Sequence, residues 1–116
     1  MEKEAGKPSP EHERGVAAAE KWIEKSGYEV GPLEMIGGCR PDAYGEKSLP
    51  NNKVAKIIIE VETAESFTDQ HAKKQMEAFA DWASEYKSRG AVLFIPKGSK
   101  NAAREALPKY TDYQEF

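Results

Sequence analysis

The apolar positions change period several times along the chain, and each change marks an element. From about Glu11 to Ser26, Val16, Ala19 and Ile23 recur at helical spacing. Ser9 followed by Pro10 supplies an N-cap and a first-turn proline, and Gly27 a C-terminal stop. Tyr28 to Ile36 alternates loosely and predicts a strand broken at Gly31-Pro32, ahead of a Gly37-Gly38 turn. Cys39 to Tyr44 predicts a short strand, and Gly45 to Asn52 a loop. Lys53 to Glu62 is the strongest strand signal, because Val54, Ile57, Ile58, Ile59 and Val61 are β-branched and the isoleucine run implies burial on both faces. Gln70 to Ser88 predicts a helix, with Ala72, Met76, Phe79, Ala80 and Ala83 on one side. Ala91 to Ile95 predicts another buried strand, and Ser99 caps a short helix reaching Leu107. The aromatic tail after Pro108 is expected to add at most an edge strand.

The predicted order is αβββαβα, which implies an α/β fold: a central mixed sheet of about four strands flanked by helices. Residues 1–10 read as a disordered leader and residues 11–116 as one domain. No apolar run reaches the roughly 20 residues of a membrane span. The single cysteine, Cys39, cannot form an intrachain disulfide, and no Cys/His spacing makes a structural zinc site. The N-terminus has no apolar secretory core. A cytoplasmic location away from membranes is the expectation. The formal net charge of −3 argues against a general nucleic-acid coat. Acid is concentrated early: residues 1–66 carry nine Lys/Arg against 13 Asp/Glu, whereas residues 67–116 carry eight against seven.

The early acids therefore receive the closest reading. In a strand, residues two apart share a face, so Glu60 and Glu62 lie with Ile58, while Ile57, Ile59 and Val61 take the other side. Either the strand end reaches solvent and both acids are hydrated, or two carboxylates are buried side by side, repel, and raise a pKa or recruit a metal. A hairpin through the Gly45–Asn52 loop would bring Asp42 beside Glu60. Three carboxylates on neighbouring strands make a hard-oxygen site suited to Mg²⁺ or Mn²⁺. On the first helix, Glu13 and Glu20 flank the apolar stripe, and one of them is within reach of such a cluster.

Cys39-Arg40-Pro41-Asp42-Ala43-Tyr44 followed by Ile58-Ile59-Glu60-Val61-Glu62 resembles the PD-(D/E)xK nuclease superfamily, the restriction-endonuclease-like fold of archaeal Holliday-junction resolvases and RecB-type nuclease domains. The resemblance covers about residues 11–107 and implies a three-layer core. It also implies Mg²⁺- or Mn²⁺-dependent hydrolysis of DNA, with Asp42, Glu60 and the Val61 carbonyl holding the ion. The superfamily's third motif residue is usually lysine, and here it is Glu62. That residue is then a general base, a ligand to a second metal, or the mark of a module that binds nucleic acid or a partner protein without cleaving, and Glu13 is a further candidate metal ligand. Lys73 or Lys74 is a candidate replacement cation, and Gln75 is similar to a glutamine of RecB-type members. Arg40, Lys97, Lys100 and Arg104 are candidate phosphate contacts, the last two at i,i+4 spacing. Cys39 shows no local signature of a nucleophile paired with His12 or His71, and the two histidines read as polar edges or DNA contacts rather than metal ligands. Phe79, Trp82 and Tyr86 read as core or as the seam of a possible homodimer.

Overall fold

The computed structural model describes residues 9–31, 35–63, 67–110 and 112–116. Helix α1 spans Pro10–Lys25, with Ser9 accepting the His12 N–H at 3.0 Å and Pro10 in the first turn. Ser26 ends it, and Gly27 turns the chain at φ +89°. Strand β1 is Glu29–Val30, β2 Ala43–Leu49, β3 Lys53–Val61, β4 Arg89–Ile95 and β5 Tyr113–Glu115. Helix α2, Gln70–Ser84, connects β3 to β4, and α3, Lys100–Ala106, connects β4 to β5. The five strands form one sheet in sequence order. β1 and β2, and β2 and β3, pair antiparallel, whereas β4 pairs parallel with β3 and β5 parallel with β4. This is a mixed α/β sheet with one strand more than the pattern required. No helix among the described residues is long and apolar enough to cross a membrane.

Both faces of the sheet are covered. Ala19 and Ile23 of α1 pack on Ala43, Ile57, Ile59, Val61, Val92 and Phe94. Met76 and Phe79 of α2 and Ala103 of α3 pack with Tyr44, Ile58, Leu93 and Ile95 on the other side. The two-residue period of β3 thus sorts its side chains as expected, and Glu60 and Glu62 fall on the α2/α3 face with Ile58.

Four boundaries differ from the expectation. Of the strand expected over Tyr28–Ile36, only Glu29–Val30 is strand among the described residues. Residues 45–49, expected as loop, are the body of β2. They pair with β3 from Ala43↔Ile59 to Leu49↔Lys53, and a tight turn at Pro50–Asn52 closes the hairpin, with Asn51 and Asn52 at positive φ. β1 covers only Gly45 and Glu46 on the other edge of β2, so Lys47 and Ser48 stay exposed and their polarity reads as loop. The strand expected over residues 39–44 begins only at Ala43, and Cys39 makes a single bridge to Ile36 across the Gly37-Gly38 turn. Helix α2 stops at Ser84 rather than Ser88, because the Arg89 guanidinium donates to the Trp82 carbonyl at 3.1 Å and lies over the Trp82 and Tyr86 rings. Phe79 is core and Trp82 half-buried, while Tyr86 lies beyond the helix and is exposed. Residues 1–8 of the expected leader and residues 32–34 of the expected first strand lie outside the described residues.

Candidate functional site: a three-carboxylate cluster

The antiparallel ladder between β2 and β3 continues one residue past β2, where the Asp42 N–H donates to the Ile59 carbonyl at 3.0 Å. At the next rung the Asp42 side chain substitutes for backbone: its Oδ2 accepts the Val61 N–H at 2.8 Å. That bond fixes the carboxylate at the end of β3, on the residue between Glu60 and Glu62. Asp42 Oδ1 lies 3.2 Å from His12 Nε2, so the first turn of α1 is tied to the same point.

Glu60 and Glu62 are the only charged side chains among the described residues that are buried, at 7% and 9% exposure. Asp42 and Glu62 both reach hydrogen-bond contact with Glu60. The Glu60 carboxyl is held well above its ordinary value of 4.5, first by burial, then by the charges of Asp42 and Glu62. With all three groups ionised there is no proton to share, and Glu60 Oε1 is buried without a donor. A proton on Glu60 supplies that donor, so the metal-free cluster favours Glu60 neutral.

Tyr110 adds a phenol on the same side of the sheet. It is 4% exposed, and its hydroxyl is pushed well above 10.0 by burial and then by the charges of Glu60, Glu62 and Asp42. The Tyr113 hydroxyl donates to the carbonyls of Leu107 and Tyr110, at 2.7 and 2.9 Å, and so fixes the turn that carries Tyr110 after α3.

The structure thus brings together Asp42, Glu60 and Glu62. The α1 side chain seated on Asp42 is His12, whereas Glu13 and Glu20 are exposed. The signal for His12 was present in the sequence: it stands 4, 7 and 11 residues before Val16, Ala19 and Ile23, on the buried stripe. Nothing local marks Tyr110, because its placement depends on the packing of the tail.

The candidate cations are scattered. Lys73 lines a groove of about 550 Å³ between the start of α2 and α3, with Phe67, Gln70 and Glu105. Lys74 is exposed and Gln75 half-buried on α2. Arg40 and Lys97 are exposed, and Lys100 is half-buried at the start of α3. Arg104 lies 5.9 Å over the Tyr113 ring. His71 is exposed at the start of α2, and Cys39 is a free, partly covered thiol.

The donor chemistry fits a hard divalent cation: carboxylate oxygens, one of them buried without a partner, around excess negative charge. Among the described residues no group of three or more His, Cys, Asp or Glu side chains stands arranged to hold a metal ion. No known protein family, curated protein or solved structure was found to match the chain.

Proposed function

We propose that the chain is a metal-dependent nuclease of the PD-(D/E)xK type, hydrolysing DNA phosphodiester bonds with Mg²⁺ or Mn²⁺. The observation that carries this reading is the burial of Glu60 and Glu62 against Asp42 at the end of the central strand. Burying the Glu60 carboxyl with one oxygen left without a donor costs several kcal/mol, a cost that stability alone gives no reason to retain. The αβββαβ succession with helices on both faces also supports the restriction-endonuclease-like layout.

In this reading Asp42, Glu60 and the Val61 carbonyl hold the cation. When bound, the cation polarises a phosphate oxygen and lowers the pKa of a water. The chain's own residues do the rest. The Val61 N–H and His12 orient Asp42 through its two oxygens. The walls formed by Tyr44, Ile58 and Leu93 limit water around Glu60. Glu62 takes the proton of an attacking water or binds a second ion.

A second reading, a non-catalytic module of the same fold, is favoured by one feature. The carboxylates already satisfy one another once Glu60 is protonated, and Glu62 stands where a cation is usual. The experiment that separates the two is Mn²⁺ titration calorimetry of the wild type and Glu60→Ala, followed by cleavage assays on duplex, single-stranded and branched DNA. Mn²⁺ binding lost in Glu60→Ala, with cleavage reduced on the order of 10²-fold or more in Glu62→Gln, is the expected result. Equal affinity in both proteins counts against the site. Binding with no cleavage by wild type or Glu62→Lys leaves the module.

A further inference from the structure

Apart from Glu11, which falls about 60° from Arg14, helix α1 carries its charges in two stripes. Arg14, Lys21 and Lys25 fall within about 40° of one another at 100° per residue, and Glu13, Glu20 and Glu24 form a second line about 100° away. Intrahelical pairing of opposite charges needs i,i+3 or i,i+4 neighbours in contact. Among the described residues neither Lys21 nor Lys25 makes an ion pair, and all three basic residues are exposed.

The basic stripe borders an aromatic groove. A cavity of about 260 Å³ lies between α1 and β5, lined by Lys21, Trp22, Lys25, Phe94 and Phe116. Trp22 meets Phe94 edge-on, with ring centroids 5.8 Å apart. The last residue is held as firmly as a strand interior: the Phe116 N–H donates to the Ile95 carbonyl, and the Phe116 carbonyl accepts the Lys97 N–H. The Arg14 guanidinium sits 5.6 Å over the Phe116 ring. Among the described residues Glu115 is the one acid lining the groove, and its Oε2 accepts the Gly98 N–H at 3.1 Å. Gly15 explains why the ring sits there. A methyl at this position would strike Val61 Cγ1 and the Phe116 ring, so the bare helix backbone lets α1, Val61 and Phe116 meet. The groove runs along α1 from Ala18 to Lys25, about 10 Å, on the sheet face opposite Glu60 and Glu62.

We propose that this groove is a binding track for single-stranded nucleic acid, with a base against Trp22 and phosphates against Lys21 and Lys25. Cations beside a partly exposed indole, Trp22 here, are a combination that holds a strand without reading its sequence. A duplex keeps its bases stacked inside and offers the aromatic floor nothing. The inference deepens the nuclease reading by naming the form of the substrate, and it rests on that reading for cleavage but not for binding.

The test is fluorescence anisotropy of a labelled oligothymidylate in EDTA, across salt concentrations. Lys21→Gln/Lys25→Gln is expected to weaken binding about tenfold and to make the log–log salt slope shallower by about 1.4, two contacts at about 0.7 each for single strands. Lys53→Gln/Lys87→Gln, the same charge change at exposed sites elsewhere, is expected to leave the slope unchanged. In a Trp82→Phe background, leaving Trp22 as the sole tryptophan, binding is expected to quench its emission. An equal loss in the control pair, an unquenched Trp22, duplex bound as tightly as single strand, or no binding by the wild type overturns the track. Quenching and a Lys21/Lys25-dependent slope without Mn²⁺-dependent cleavage leave the track and remove the nuclease reading. Cleavage with undiminished affinity in the Lys21/Lys25 variant does the reverse.

Discussion

Replacing Glu60 with glutamine should make the metal-free protein more stable, although it alters a buried residue on the central strand. The wild-type cluster sets three carboxylates in contact around an oxygen that has no donor when all are ionised. Glutamine keeps the shape, removes one charge and brings an NH₂ group with two donors. A hydrogen bond to a charged acceptor contributes about 1.5–3 kcal/mol net. Wild-type Glu60 makes such a bond only by holding a proton above its ordinary value, so glutamine raises stability at pH 8 by up to about that amount. For a domain of this size that is roughly 6–12 °C in Tm.

The pH dependence identifies the cause. Burial and its neighbours hold the folded-state Glu60 pKa above 4.5, so above pH 4.5 the folded protein keeps a proton that the unfolded chain has released. The native state then binds more protons, and stability falls as pH rises through the folded value. Below pH 4.5 Glu60 is protonated in both states and its contribution is fully present. The gap between Glu60→Gln and wild type should thus open between pH 4.5 and 8 and nearly close at pH 4. Thermal melts in EDTA across that range are the assay. A variant less stable than wild type at pH 8, or a gap independent of pH, refutes the electrostatic account.

Other outcomes follow from single contacts. Mn²⁺ affinity should rise with pH, because the ion and the Glu60 proton compete for the same oxygen, and calorimetry in buffers of different ionisation enthalpy should detect proton release. Gly45→Ala should destabilise by about 1–3 kcal/mol in denaturant titration, since its Cβ would stand 2.6 Å from Ile23 Cγ2 and 3.2 Å from Tyr28 Cβ. Ser9→Ala should cost about 1 kcal/mol through the lost cap on the His12 N–H, measurable by the same titration.

The central strand and its acids were legible because β3 is covered on both sides: a run of isoleucines and a strict two-residue period leave little freedom in where Glu60 and Glu62 point. Asp42 was legible only through the hairpin, and its lock on the Val61 N–H was not, because a side chain replacing a backbone partner leaves no periodic trace. β2 was misread where it extends past β1, since exposed Lys47 and Ser48 are what a solvent-facing strand end and a loop have in common. The end of α2 was misread for a different reason. Its stop is a tertiary event, the Arg89 side chain taking a helix carbonyl, which propensity along the helix does not record. His12 lay on the buried stripe of α1 but was not recognised, because an apolar count passes over a polar residue.

Position 62 decides what the proposed site needs from outside. A lysine there would set a positive charge beside Glu60, lower its proton affinity and leave the cluster near balance. Glutamate does the opposite: it adds a charge that Glu60 already resists, and the balance must come from a proton or a cation. A phosphate approaching the unbalanced cluster would meet three carboxylates at close range. The basic residues of α1 lie on the other face of the sheet from Glu60, linked to it through Gly15 and Val61, where they attract a strand without neutralising the acids. Holding the strand and balancing the site are thus assigned to different parts of the molecule. Salt should weaken the first through the α1 cations and leave the second, buried beneath Tyr110 and the α2/α3 face, comparatively unscreened.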